Sequence, residues 1–201
     1  LSKIFEKTNL CFLFARHHHK AMKHVAQARK EISERTIFNL LGPLCNPANV
    51  SRQIIGTTTV VIAEKLAQVI QKLGTTKSMI IVGPNQVDEL VLSGENIIFE
   101  ITENEIKKYP FNASSMSLTS AYTEYTTGLA KENATLFKKV FSNKDEKHCL
   151  SQHVSINVAA ALMCAGKVNS LEEGFMLSQE VIKSGLAWQT YSNYQALSCE
   201  L

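Results

Sequence analysis

Glycine is sparse and scattered. No two of the nine glycines stand close enough to form a Gly-x-Gly phosphate cradle. A Gly-x-Ser-x-Gly elbow is absent too, and no Cys/His nucleophile arrangement is evident. The five cysteines, at positions 11, 45, 149, 164 and 199, are odd in number and make no Cys-x-x-Cys pair. That excludes a disulfide framework and a structural zinc site, and it leads us to expect reduced thiols in a cytoplasmic protein. The apolar runs are too short to cross a bilayer, and the first residues do not read as a signal peptide. Charge of neither sign dominates: the net charge is +3, too mild and too dispersed for a nucleic-acid footprint. What remains is a chain of 201 residues, 45% hydrophobic and 19% charged, long enough for a good core.

The densest chemistry runs from Phe14 to Pro47. Ala21, Met22, Val25, Ala28 and Ile32 recur at spacings of three and four, which places them on one helical face. Arg29 shares that face. An arginine there is either an internal ion pair, a stem snorkelling at the edge of the core, or a fork of donors for a planar carboxylate. His17, His18 and His19 cannot all face one metal ion from regular structure. His19, the last before the helix, is the best placed to point inward.

The rest of the chain reads as an α/β protein. Cys11 to Ala15 is expected to be a short buried strand, and Thr36 to Leu41 a short helix stopped by Gly42-Pro43 and Asn46-Pro47. Gln53 to Thr58 reads as a strand, Val61 to Leu73 as a helix ended by Gly74, and Ser78 to Val82 as a fully buried parallel strand. That order is a crossover unit. Leu90 to Ser93, Asn96 to Thr102 and Glu105 to Tyr109 read as further strands, and 110–128 as an irregular excursion. Helices are expected over Glu132 to Phe141, over His153 to Ala165, after Ser170 with its capping box to Glu173, and over Trp188 to Leu197.

Asp88 and Glu89 follow the end of the Ser78 to Val82 strand, where open α/β sheets place ligands. Adjacent carboxylates in a loop can hold a hard cation such as Mg²⁺, or can simply be solvated.

Taken together these residues resemble anthranilate phosphoribosyltransferases. The resemblance is carried by F-A-x-x-x-H-x-A-M-K-x-V-x-x-x-R (Phe14 to Arg29), R-T-I-F-N-L-L-G-P-L-x-N-P (Arg35 to Pro47) and V-D-E-L around Asp88 and Glu89. Further matches lie at Gly128 to Ala134, Asn157 to Leu162, Ser170 to Gly174 and from Ser184. It covers nearly the whole chain.

The resemblance implies a mixed, mostly parallel sheet flanked by helices, with part of a small helical domain, as in the nucleoside phosphorylase/phosphoribosyltransferase class. Residues 1–18 would give the opening strand of the α/β domain, 19–49 helices of the helical domain, and 50–201 the rest of the α/β domain. It also implies transfer of a phosphoribosyl group from phosphoribosyl pyrophosphate to anthranilate, giving pyrophosphate, with Mg²⁺ assistance. Arg29 would engage the anthranilate carboxylate. His19, Met22, Asn46 and Pro47 would line the anthranilate site, and Asp88 and Glu89 would hold the magnesium. No residue is assigned a covalent or general-base role. A homodimer is implied for full-length members.

Lys20 stands where the family usually has proline, and Val158 where it has a small residue. A further N-terminal portion of the family, with its Gly-Thr-Gly-Gly-Asp phosphate loop, has no counterpart in these residues. The chain is therefore expected to be incomplete and inactive alone. A related branch of the fold binds nucleic acid without transferase activity; it lacks the Arg35 to Leu44 run, so nucleic acid is not the expected partner.

Overall fold

The computed structural model describes residues 1–13, 40–46, 48–124 and 128–200. They pack as two compact units: Leu1–Val50 with Tyr194–Leu201, and Ser51–Asn193.

In the first unit, α1 is Ser2–Thr8, closed by Asn9 in the left-handed region (φ 53°). Cys11 to Leu13 follows without regular structure, so the described part of the expected opening strand is not one. Phe12 is 67% exposed, not the buried position that a core strand would give it. The other residues of that run, and 36–39 of the expected short helix, lie outside the described residues; Leu40 and Leu41 lie in a turn and a bend. Pro43–Cys45 is one 3₁₀ turn.

The second unit holds a mixed sheet in the order β1-β2-β3-β4. Its strands are β1 (Arg52–Gly56), β2 (Lys77–Val82), β3 (Glu95–Ile101) and β4 (Ile106–Asn112). β1 and β2 are parallel, whereas β2–β3 and β3–β4 are antiparallel. The α/β class and the mixed sheet agree with the sequence, but parallel pairing does not dominate among the described strands. The reason is local: only β1 and β2 are joined by a helix, whereas Thr102 and Glu105 close β3 onto β4 through a tight turn (Thr102 N–H to Glu105 O, 2.9 Å). β4 also runs through Pro110, which the sequence assigns to a loop. As an outer strand of the described sheet it tolerates a residue without an N–H.

Helix α2 (Val60–Lys72) links β1 to β2. Thr59 caps it, its Oγ1 accepting from Ile62 N–H at 3.3 Å, and Ala63, Leu66, Ala67 and Ile70 form its buried face. α2 packs against β2 and β3. Every residue from Ser78 to Val82 is buried. Met79 and Ile81 join a core with Ile156, Ala159 and Ala160. Their neighbours point the other way by the two-residue period of a strand, so β2 is covered on both faces and shows no apolar/polar alternation.

Three further helices complete this unit's chain: α3 (Ala130–Ser142), α4 (Cys149–Cys164) and α5 (Leu171–Ser184), with α6 (Leu186–Glu200) after them. Ser170 caps α5 as expected, accepting from Glu173 N–H at 3.1 Å; Glu173, however, reaches back to Asn169 N–H (2.8 Å) and not to Ser170. α4 and α5 meet closely. A Cβ on Gly174 would lie 2.8 Å from Ala159 Cα and 2.9 Å from its Cβ. We expect Gly174→Ala to force the two helices apart and to lower stability by about 1–3 kcal/mol. Thermal denaturation checks this; an unchanged melting temperature would show that the contact relaxes freely.

Candidate functional site

The acidic pair sits on the segment that leaves β2, and three kinds of contact hold that segment in place. The first is close backbone approach. A Cβ on Gly56, at the end of β1, would fall 1.7 Å from Asp88 O, and one on Gly83 would fall 2.6 Å from Glu89 O. Only glycine fits at either position. From Gly83 onward the chain folds tightly: Gly83 N–H donates to Val87 O (2.7 Å), Val87 N–H to Pro84 O (3.2 Å), and Asn85 and Gln86 take positive φ (54° and 64°).

The second contact is a pair of asparagines. Asn157 of α4 treats Leu90 as a strand partner, accepting from Leu90 N–H at 3.0 Å and donating to Leu90 O at 2.9 Å. Buried Asn96 of β3 does the same to Val91, at 2.9 and 3.1 Å, and also donates to Phe111 O at 3.3 Å. Leu90 to Ser93 is therefore not the strand expected from its apolar run. Leu90, Val91 and Leu92 are fully buried, but side-chain amides take the place of a ladder.

The third contact is on the Glu89 carboxylate. Tyr122 Oη donates to Glu89 Oε1 at 2.8 Å, and His153 Nε2 lies 3.3 Å from the same oxygen. Tyr122 comes from a 3₁₀ turn (Tyr122–Glu124), and its ring meets His153 edge-on, centroids 5.9 Å apart. The His153 hydrogen bond pulls the Glu89 carboxyl below its ordinary pKa; partial burial opposes this, and the Tyr122 hydrogen bond adds to it. Glu89 is thus held ionised, beside an exposed Asp88.

These two carboxylates fit a hard cation that keeps much of its water. Both donors converge on Oε1 of Glu89, so Oε2 and the Asp88 carboxylate are the oxygens a cation could take. Among the described residues no group of three or more His, Cys, Asp or Glu forms a complete metal cage. Mg²⁺ does not need one, because one or two carboxylates with substrate phosphates suffice.

Of the other residues singled out from sequence, His19, Met22, Arg29 and Pro47 lie outside the described residues. Asn46 ends the 3₁₀ turn, and its Oδ1 accepts from Ala48 N–H at 3.0 Å. Sequence reasoning does not find His153 or Tyr122. His153 and Asn157 are polar residues four apart, on one face of a largely apolar helix, a signal that the sequence does carry.

The fold and this loop define an α/β domain that presents two carboxylates at the end of a parallel strand. The family described as "Glycosyl transferase family, a/b domain" matches residues 1–188, and the chain belongs to it. Within it, the chain is 38% identical over 188 residues to the anthranilate phosphoribosyltransferase of Petrotoga mobilis, covering 93% of this chain and 54% of that protein. The crystal structure of anthranilate phosphoribosyltransferase from Thermus thermophilus is similar at 34% identity and a TM-score of 0.85, over 96% of this chain and 57% of that one. Structures of the Saccharomyces cerevisiae enzyme, one with 4-fluoroanthranilate and one of a variant with Mg bound, are similar at 26% identity and a TM-score of 0.85. Each covers 99% of this chain and 57–58% of that one. The chain thus spans about half the length of the relatives it matches. Among the described residues no helix is long and apolar enough to cross a membrane.

A carboxyl whose pKa is lowered on folding contributes stability that is complete above its ordinary value of 4.5 and is lost as pH falls through the lowered value. We therefore expect the melting temperature to drop more steeply on acidification below roughly pH 5 in the unaltered chain than in Glu89→Gln. Parallel curves would show that the His153 and Tyr122 bonds add nothing to the folded state.

Proposed function

We propose that this chain carries the α/β part of an anthranilate phosphoribosyltransferase, acting on phosphoribosyl pyrophosphate and anthranilate with Mg²⁺. The observation that carries this reading is the locked loop that presents an ionised Glu89 beside Asp88. It is supported by membership of the glycosyl transferase family and by the likeness to enzymes whose structures hold an anthranilate analogue or magnesium.

The amine nitrogen of anthranilate would attack the anomeric carbon of the ribose. The bond from that carbon to the pyrophosphate oxygen breaks, pyrophosphate leaves with the electron pair, and the new secondary amine sheds a proton to water. Bound magnesium would offset the charge that builds on the leaving group. Asp88 and Glu89 supply the carboxylates that hold it, and the glycine contacts fix where they stand. Arg29 would grip the anthranilate carboxylate as a bidentate partner, with His19, Met22, Asn46 and Pro47 around the ring. Positioning of this kind can lower a barrier by about 7–11 kcal/mol in good cases, so no general base is needed if the centre attacked is oxocarbenium-like. The resemblance further implies a homodimer, and the five free thiols suit a reducing cytoplasm.

Loss of anthranilate fluorescence with phosphoribosyl pyrophosphate and Mg²⁺ tests the reading, in the 201-residue chain and in that chain fused to the remaining part of a full-length relative. Turnover in the fusion is expected; a folded fusion that leaves anthranilate untouched contradicts the reading. Arg29→Ala should weaken anthranilate binding by about ten- to a hundredfold, the worth of a charge-assisted bidentate pair. Binding of magnesium pyrophosphate should be spared. Unchanged anthranilate affinity in that variant would remove Arg29 from the site.

A further inference from the structure

The Glu89 carboxylate is addressed from two elements far apart in sequence, and both address one oxygen. Tyr122 Oη donates to Oε1 at 2.8 Å and His153 Nε2 stands 3.3 Å from it. His153 is 6% exposed and sits one helical turn before Asn157, whose Nδ2 donates to His153 O at 3.0 Å. One face of α4 thus grips the backbone of Leu90 through Asn157 and the side chain of Glu89 through His153. The edge-on contact between the Tyr122 and His153 rings braces the two donors against each other. A glutamate in a loop has three freely rotating side-chain bonds, and orienting it costs conformational entropy at the moment a cation binds. Here that ordering is already present in the folded chain.

We propose that His153 and Tyr122 are positioning residues for the acidic pair: they hold Oε1 of Glu89 so that Oε2, together with Asp88, is presented to the cation. They touch neither the cation nor the substrate. This rests on the reading of Asp88 and Glu89 as the cation-holding pair. Partners of this kind behind a metal ligand commonly contribute about ten- to a hundredfold in metal affinity.

The test is the binding of Mn²⁺, with inorganic pyrophosphate present, to the whole chain, followed by the electron paramagnetic resonance signal of free Mn²⁺. The variants are Glu89→Gln, Tyr122→Phe, His153→Leu and His153→Gln, each with its melting temperature. We expect Tyr122→Phe and His153→Leu each to weaken Mn²⁺ roughly tenfold, and His153→Gln, which keeps a donor, to stay near the unaltered chain. Added to Glu89→Gln, Tyr122→Phe should weaken binding no further, because both act through one carboxylate. A merely structural role would give losses that add. If His153→Leu does not fold, Tyr122→Phe and His153→Gln decide the matter alone. Tyr122→Phe with normal affinity, or with a loss that adds to that of Glu89→Gln, overturns the positioning role while leaving the cation site standing. Glu89→Gln with normal affinity, or no saturable binding by the unaltered chain, overturns the cation site itself, and the positioning role with it.

Discussion

Two asparagine amides make the acidic loop possible. The chain leaving β2 must carry charged residues to the edge of the sheet while Leu90, Val91 and Leu92 stay buried beneath it. Buried backbone needs partners, and no strand among the described residues supplies them to Leu90 and Val91. Asn157 and Asn96 supply them instead, each both accepting from and donating to one residue. Without those bonds the buried peptide groups would go unsatisfied, and the loop would gain by swinging out to water. Gly56 and Gly83 then let the neighbouring strand ends come close enough to fix where the carbonyls of Asp88 and Glu89 stand.

The remainder of the Ser51–Asn193 unit serves that arrangement. The parallel β1–β2 pair puts the ends of both strands, and hence both glycines, on one side of the sheet. Antiparallel β3 returns alongside β2 with Ile97 opposite Val82, and the side chain of the preceding Asn96 reaches the backbone of Val91. α4 crosses β1 and β2, with Ile156, Ala159 and Ala160 in the core. Its His153 and Asn157, one turn apart, therefore face the loop. Gly174 lets α5 lie close on α4 and secures it from behind. Apolar packing thus fixes the helix that carries the polar grip.

Much of this is legible in the sequence where a pattern has one physical meaning. The helix read over Val61 to Leu73 follows from its apolar spacing and the Gly74 after it, and the structure has it as Val60–Lys72 with Gly74 at positive φ; buried β2 follows from the run Met79-Ile80-Ile81-Val82. The place of Asp88 and Glu89 follows from that strand. Leu90 to Ser93 misleads because a buried apolar run looks the same whether a strand or an asparagine satisfies its backbone. The run Cys11 to Ala15, whose described part Cys11 to Leu13 is not a strand, misleads because so short an apolar run carries no information about a pairing strand. The balance of the sheet is hidden because the direction of β3 depends on how the chain returns from the loop, which composition does not encode. His153 reads as one more member of an apolar helix, although its spacing from Asn157 sets it on the same face.

The most direct test of this account is the exchange of the Leu90 and Val91 amide hydrogens with solvent. Both lie in a segment without regular secondary structure, where loop amides ordinarily exchange fast. We expect protection comparable to that of β2, because each amide is donated to a buried or half-buried asparagine oxygen at 2.9–3.0 Å. Exchange at the rate of an open loop would mean that the asparagines do not hold the segment, and that the carboxylates of Asp88 and Glu89 are not fixed in place.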